Sequence, residues 1–248
     1  MRAARFILLG VAAYGVFLVA TLPASAVAPR VAAATKGQAT LTDVAGTVWN
    51  GSARVAIAAR GAAFTLDEVR WEFLPSRLLA GRAAFAVKAR LGTLRGEAEV
   101  ARTPLAWRAD GVRAQGDAAA LTALLPLAAA WQPEGELALA ADSITWDGAA
   151  ASGTATLEWR DAVLALSPVR PLGSWRAEAR AEGAGAKVTL ATVKGPLRLS
   201  GEGTLAIPGR LAFTGEARSE AGRERDLEAV LALLGPRRPD GAHAISIR

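Results

Sequence analysis

A chain of 248 residues with no cysteine and one histidine, His243, excludes a disulfide-stapled secreted domain and an ordinary zinc site built from cysteine and histidine. The formal net charge of +6 comes from 29 basic and 23 acidic residues. The basic residues are scattered among strands opposite glutamates, not gathered in a run, so a solvated strand face is expected and a nucleic-acid partner is not.

The first expected element is a membrane anchor. Residues 6–29, FILLGVAAYGVFLVATLPASAVAP, carry no charge. At about 1.5 Å per helical residue, Phe6 to Leu22 covers roughly 26 Å and continuing to Ala28 exceeds a hydrocarbon core about 30 Å thick, so one crossing is expected and two are not. Arg2 and Arg5 precede it with no acidic residue nearby, so the positive-inside rule keeps the short N-terminus cytoplasmic and sends the rest across. Ala24-Ser25-Ala26 also has the small-residue pattern of a signal-peptidase site. The apolar segment is longer than a usual signal-peptide core, which favours retention over cleavage after Ala26. The chain therefore divides into residues 1–29, stub and single transmembrane helix, and residues 30–248, a β-rich periplasmic domain large enough to bury a sizeable core.

Beyond the anchor, period-two alternation recurs in short stretches punctuated by glycine, the signature of strands and hairpins. Strands are predicted at Arg54–Ala58, Leu66–Phe73, Ala83–Leu91, Gly96–Arg102, Leu137–Trp146, Thr154–Leu166, Trp175–Glu182, Lys187–Val193, Leu197–Ile207 and Arg210–Arg218. In the last of these Leu211 and Phe213 point one way, Arg210, Ala212 and Thr214 the other. One dry and one wet face, without intervening long helices, predict a mostly β fold: an antiparallel sheet, curved or partly closed, with one or two short covering helices. Asp117 is placed to cap a helix through AAALTALLPLAAAW, with Leu121, Leu124 and Leu125 on one face and Pro126 kinking or ending it. A second helix is expected from Ser219 to Leu234, where Leu227, Val230, Leu231 and Leu234 line one side and Gly235-Pro236 closes the end. Trp49-Asn50-Gly51 and Trp146-Asp147-Gly148 each read as a tryptophan followed by a type I′ turn dipeptide. Most tryptophans are expected in the core.

Chemistry is sparse. His243 has no second histidine or cysteine and reads as an exposed tail residue. Gly201-Glu202-Gly203-Thr204-Leu205-Ala206 fits a loose dinucleotide pattern, but strand alternation runs through it and no helix follows to receive a phosphate. There is no G-x-S-x-G elbow and no P-loop. Carboxylate pairs such as Glu97 and Glu99 lie on strands that also carry arginines and read as surface pairing. Asn50-Gly51-Ser52 is formally a glycosylation acceptor, but a turn is preferred. No catalytic residue, cofactor or metal is expected.

Gly46-Thr47-Val48-Trp49-Asn50-Gly51-Ser52-Ala53 after an N-terminal anchor, followed by Val69-Arg70-Trp71-Glu72-Phe73, Pro75 and Leu78-Leu79-Ala80-Gly81, resembles the N protein of the bacterial type II secretion system, also called general secretion pathway protein N. The similarity continues through Gly153–Asp161 with Trp159, Leu172-Gly173-Ser174-Trp175, Lys194 to Gly201 including Gly195, and Ala229 to Gly241. The alanine-rich stretch from Arg102 to Gly135 matches poorly. The resemblance implies a non-enzymatic, single-pass inner-membrane protein whose periplasmic domain acts as scaffold or assembly subunit for export of folded exoproteins. Its implied partners are other secretion subunits, the outer-membrane secretin among them. The family also looks similar to AsmA-like envelope proteins, whose curved sheets form apolar grooves for lipid. That implies a lipid-handling alternative in which Leu197, Leu199, Leu205, Leu211 and Phe213 contact acyl chains. The glycines and tryptophans of the motifs are expected to serve turn geometry and packing, with Gly46 and Gly51 flanking a tight hairpin and Trp49 and Trp71 packing across it.

Overall fold

The computed structural model describes residues 2–247 apart from 60, 61, 125 and 207–209. It begins with α1 (Arg2–Ala20), which is 19 residues long. Thr21 bonds back to the Phe17 carbonyl and Leu22 N–H to that of Val19. Pro23, which has no N–H to continue the ladder, leaves the helix and bridges to Thr47. The helix thus stops short of Leu22, the end anticipated for the apolar segment. Its described apolar side chains are exposed, Val16 at 70% and Val11 at 66%. Among the described residues, no helix is long and apolar enough to cross a membrane. A 3-10 turn at Ala24–Ala26 and the short α2 (Ala28–Ala34) lead into the sheet.

Thirteen strands then pair strictly in chain order into one antiparallel meander that is not closed. They are β1 (Ala39–Gly46), β2 (Asn50–Ala59), β3 (Ala62–Phe73), β4 (Ala83–Leu91), β5 (Leu94–Arg102), β6 (Trp107–Asp117), β7 (Glu134–Trp146), β8 (Ala151–Val163), β9 (Gly173–Gly183), β10 (Gly185–Lys194), β11 (Leu197–Ala206), β12 (Arg210–Ser219) and β13 (His243–Ile247). All ten predicted strands are present, although Ile207, the predicted end of β11, lies outside the described residues. β1, β6 and β13 are additional.

The register carries one apolar face across the meander. Trp71 lies opposite Val87, Phe85 opposite Val100, Ala114 opposite Leu139, Trp159 opposite Trp175, and Leu205 opposite Leu211. Directly paired residues share a face, so period-two alternation in each strand sums to a dry side and a wet side. The burial of β11 alternates residue by residue along its whole length.

The long helix expected after Asp117 is broken. Asp117 does cap it, its Oδ1 accepting from Ala119 N–H at 2.7 Å. A 3-10 turn (Ala118–Ala120), α3 (Leu121–Leu124) and another 3-10 turn (Pro126–Ala130) follow, because proline at position 126 has no N–H to continue the ladder. Leu125, assigned to the apolar face of that helix, lies outside the described residues. α4 (Glu224–Leu234) starts five residues later than Ser219 but presents the expected side. Leu227, Val230 and Leu231 are buried against Trp175, Leu197, Leu172 and Ala217. Each such aliphatic side chain contributes about 1.5 to 3 kcal/mol. The core is therefore densest where α4 closes over the apolar face of β9–β12. Not every tryptophan joins a core: Trp107 and Trp146, paired across β6 and β7, are 48% and 41% exposed, and Arg102 lies over the Trp107 ring at 5.1 Å.

Candidate functional site

The residues carrying the sequence resemblance gather in two places. The first is the β1–β2 turn. Gly46 ends β1 at φ +82, and Thr47 N–H donates to the Asn50 carbonyl (2.8 Å), while Thr47 Oγ1 accepts from the N–H groups of Trp49 and Asn50. The hairpin loop is thus Thr47-Val48-Trp49, and Asn50-Gly51 opens β2 instead of forming the expected two-residue type I′ turn. Trp71, on β3, explains why. Its indole lies over Gly51, where a Cβ would sit 2.6 Å from the ring, and its Nε1–H donates to the Thr47 and Val48 carbonyls at 3.2 and 3.1 Å. Gly51 is a site of close approach, not of unusual φ.

Trp49 packs on Phe73 with ring centroids 5.0 Å apart, and Phe73 on Phe85 at 5.2 Å. Trp49 Nε1–H also donates to the Val19 carbonyl at 2.7 Å, and Val48 N–H to that of Leu22 at 3.0 Å. The turn therefore fastens the end of α1 to the sheet. Nothing in the sequence pattern signalled this contact, because it joins residues about thirty apart through backbone carbonyls that carry no side-chain signature.

The second cluster surrounds Trp175. Trp159 meets it edge to face at 5.5 Å and donates Nε1–H to the Glu134 carbonyl. Gly195, in the β10–β11 turn at φ +116, lets Gly173 approach so closely that a Cβ would collide with the Gly173 Cα. Gly201 lies farther along β11, beneath the Phe213 ring. Pro75, Leu79 and Gly81 belong to neither cluster. They form the 3-10 turn Pro75–Ala80 and its left-handed cap at Gly81, with Leu79 fully in solvent at 94% exposure.

His243, read as an exposed tail residue, is buried in β13 opposite Ala217, and its Nδ1–H donates to the Gly235 carbonyl at 2.9 Å. Among the described residues no group of three or more His, Cys, Asp or Glu converges as a metal site.

The charged face is ordered by pairing. Glu158, on β8, is gripped by Arg160 of its own strand and by Arg176 opposite, at 2.6 Å each. The hydrogen bonds from Arg160, then those from Arg176, hold its carboxyl below the usual carboxylate range. The stabilisation is complete above about pH 4.3, the ordinary glutamate value, and is lost as pH falls through the lowered folded value. Glu158→Gln should therefore lower stability near neutral pH by about 1 kcal/mol or less, the guanidinium groups being half exposed. It should also flatten the acid limb of a thermal-unfolding series from pH 7 to pH 2. An unchanged acid limb would assign the pH dependence to other carboxylates.

Cavities open on this charged face. One of them, about 690 Å³, spans β3 to β7. A sizeable hollow thus lies on the wet side, where Ala138 and Ala140 of β7 leave space beside longer side chains of neighbouring strands.

Neither the curated proteins nor the solved structures give a match. The sequence model for type II secretion system protein N matches residues 37–246, from just before β1 to within β13. The match takes in the thirteen-stranded meander and both aromatic–glycine clusters, and the chain belongs to the protein N family of the type II secretion system.

Proposed function

We propose that the protein is an inner-membrane-anchored, non-enzymatic component of the type II secretion apparatus whose β domain works in the periplasm as a scaffold for other secretion subunits, the outer-membrane secretin included. The family match carries the reading. The uncharged segment from Phe6 to Pro29 after Arg2 and Arg5 supports the anchor and its orientation. The meander supports the scaffold role: β1 and β13 each have one strand neighbour, so each offers an edge to which an extended partner segment can add.

One observation favours a second reading, lipid handling. Much of the apolar face outside the α4 core is only half covered, with Leu157 exposed at 44%. Photocrosslinking in the native host, from probes at Leu157 on that face and Arg225 on the exposed side of α4, separates the two. Phe213 is a poor probe site, since its ring is buried over glycines. Adducts with secretion subunits are the expected result. Lipid adducts at Leu157 with no secretion subunit at either position would replace the scaffold reading with the lipid one.

A further inference from the structure

The cavity across β3–β7 differs from the rest of the charged face in how its charges are arranged. The register sets them in two rows. One runs Arg70, Lys88, Glu97, Arg113, and the other Glu68, Arg90, Arg95, Gln115, each residue directly opposite the next. Two of these contacts set like charges face to face, Arg70 against Lys88 and Arg90 against Arg95. Like charges directly opposite one another destabilise a sheet. Glu68 answers only part of this, reaching Arg70 at 2.7 Å and Arg90 at 3.9 Å. Among the described residues no carboxylate lies within ion-pair distance of Lys88, Arg95 or Arg113.

Elsewhere on the same face like charges also meet, Lys187 opposite Arg180 and Arg198 opposite Arg218, but each of those arginines has a carboxylate partner. Arg160 and Arg176 share Glu158, Arg180 meets Glu182 at 2.8 Å, Lys194 meets Asp161 at 2.7 Å, and Arg218 meets Asp240 at 2.7 Å. Around the hollow of about 690 Å³, within the usual size of ligand pockets, the cations Arg70, Lys88, Arg90, Arg95 and Arg113 outnumber the carboxylates Glu68 and Glu97.

We infer that this cavity is a docking site for an acidic peptide segment of a partner protein. The shape of the positive charge favours a peptide over a single phosphate. A phosphate is recognised by donors converging on one point. Here the cations stand on four successive strands and in two rows two residues apart, about 6.7 Å along the strands, which is the repeat of same-side carboxylates on an extended chain. The inference rests on the reading that the domain docks other secretion subunits, and it names the chemistry of the segment that is docked.

The test is fluorescence anisotropy with the full chain in mild detergent and a labelled short peptide bearing glutamate at alternate positions. A glutamine counterpart, inorganic phosphate and vesicles containing anionic phospholipid serve as competitors. The glutamate peptide should bind, weaken as salt rises, and resist displacement by the other three. Arg95→Glu and Arg113→Glu should each weaken it by about tenfold, whereas Arg180→Glu, on the same face outside the cavity, should leave it unchanged. Folding is not at risk in the first of these, since Arg95→Glu replaces a repulsive cross-strand pair with an attractive one, and its thermal midpoint should equal or exceed that of the native chain. Equal binding of the glutamine peptide, an equal loss with Arg180→Glu, or ready displacement by phosphate or vesicles would overturn the inference. Cavity-dependent peptide binding in a chain that crosslinks to no secretion subunit would instead leave the acidic-peptide site standing and remove the scaffold reading.

Discussion

Replacing Trp175 with alanine is expected to cost about 3 to 5 kcal/mol of unfolding free energy, the range for truncating a large buried aromatic. The side chain is 6% exposed and sits where the C-terminal half of the sheet, the β10–β11 turn and α4 meet. Three interactions go with it: the packing against Leu197, Leu227 and Val230, the edge-to-face contact with Trp159, and the bond from Nε1–H to the Leu197 carbonyl at 3.0 Å. The last leaves a buried acceptor without its donor, which adds a desolvation penalty to the cavity cost. Chemical denaturation of the full chain in mild detergent measures the effect. Trp107→Ala is the comparison, because that side chain is half exposed and should cost far less. Equal losses for the two variants would mean that α4 does not close a core over Trp175.

Gly201→Ala is expected to cost about 3 kcal/mol, at the upper end for overpacking. A Cβ there would stand 2.5 Å from the Phe213 ring and 2.6 Å from the Thr214 carbonyl oxygen. The Phe213 ring spreads over Gly201, Gly203 and Gly215, three glycines at cross-strand and adjacent same-face positions, and fills the space their missing side chains leave. The claim is one of coupling and is checked by a double-mutant cycle. Phe213→Ala should cost about 3 kcal/mol alone and distinctly less in the Gly201→Ala background, where the ring is already displaced, for a coupling of about 1 kcal/mol or more. Strict additivity would show that the collision is with the β12 backbone alone.

These two sites also mark how far the sequence could be read. Strands that keep period two without interruption, such as Ala83–Leu91, were legible to the residue, because alternation is set by one buried face. Two of the strands that escaped carry a backbone interruption, as some recognised strands also do. β6 has Gly111 at φ +60 with a register shift against β5, and β1 has Asp43 at φ +51 with a shift between Thr42 and Ala45. A bulge inserts one residue and flips the face of all that follow, so an unaided count loses the strand. β13 escaped for a different reason: five residues after a Gly-rich stretch carry too short a pattern, and only pairing with β12 defines them. The motif glycines were legible as special but not in their individual roles. Gly51 was read as a turn residue because Asn-Gly is a strong hairpin signal, and the indole that excludes a side chain there comes from Trp71, twenty residues away. The polar cavity was invisible because it depends on which charges face each other across strands, and that follows from register alone.

The meander order has a consequence for how such a domain comes into being. Every strand hydrogen-bonds only to its predecessor and successor in the chain, so no pairing has to wait for a distant segment. A chain made from its N-terminus can therefore add one strand at a time onto a growing edge, much as a repeat array propagates from any nucleus. Fastening of α1 to the β1–β2 turn through Trp49 steadies the first ordered edge. Seating α4 over Trp175 waits until synthesis is nearly complete, so a chain stalled before Glu224 would hold a nearly full sheet with its densest core still open to capture by chaperones or proteases.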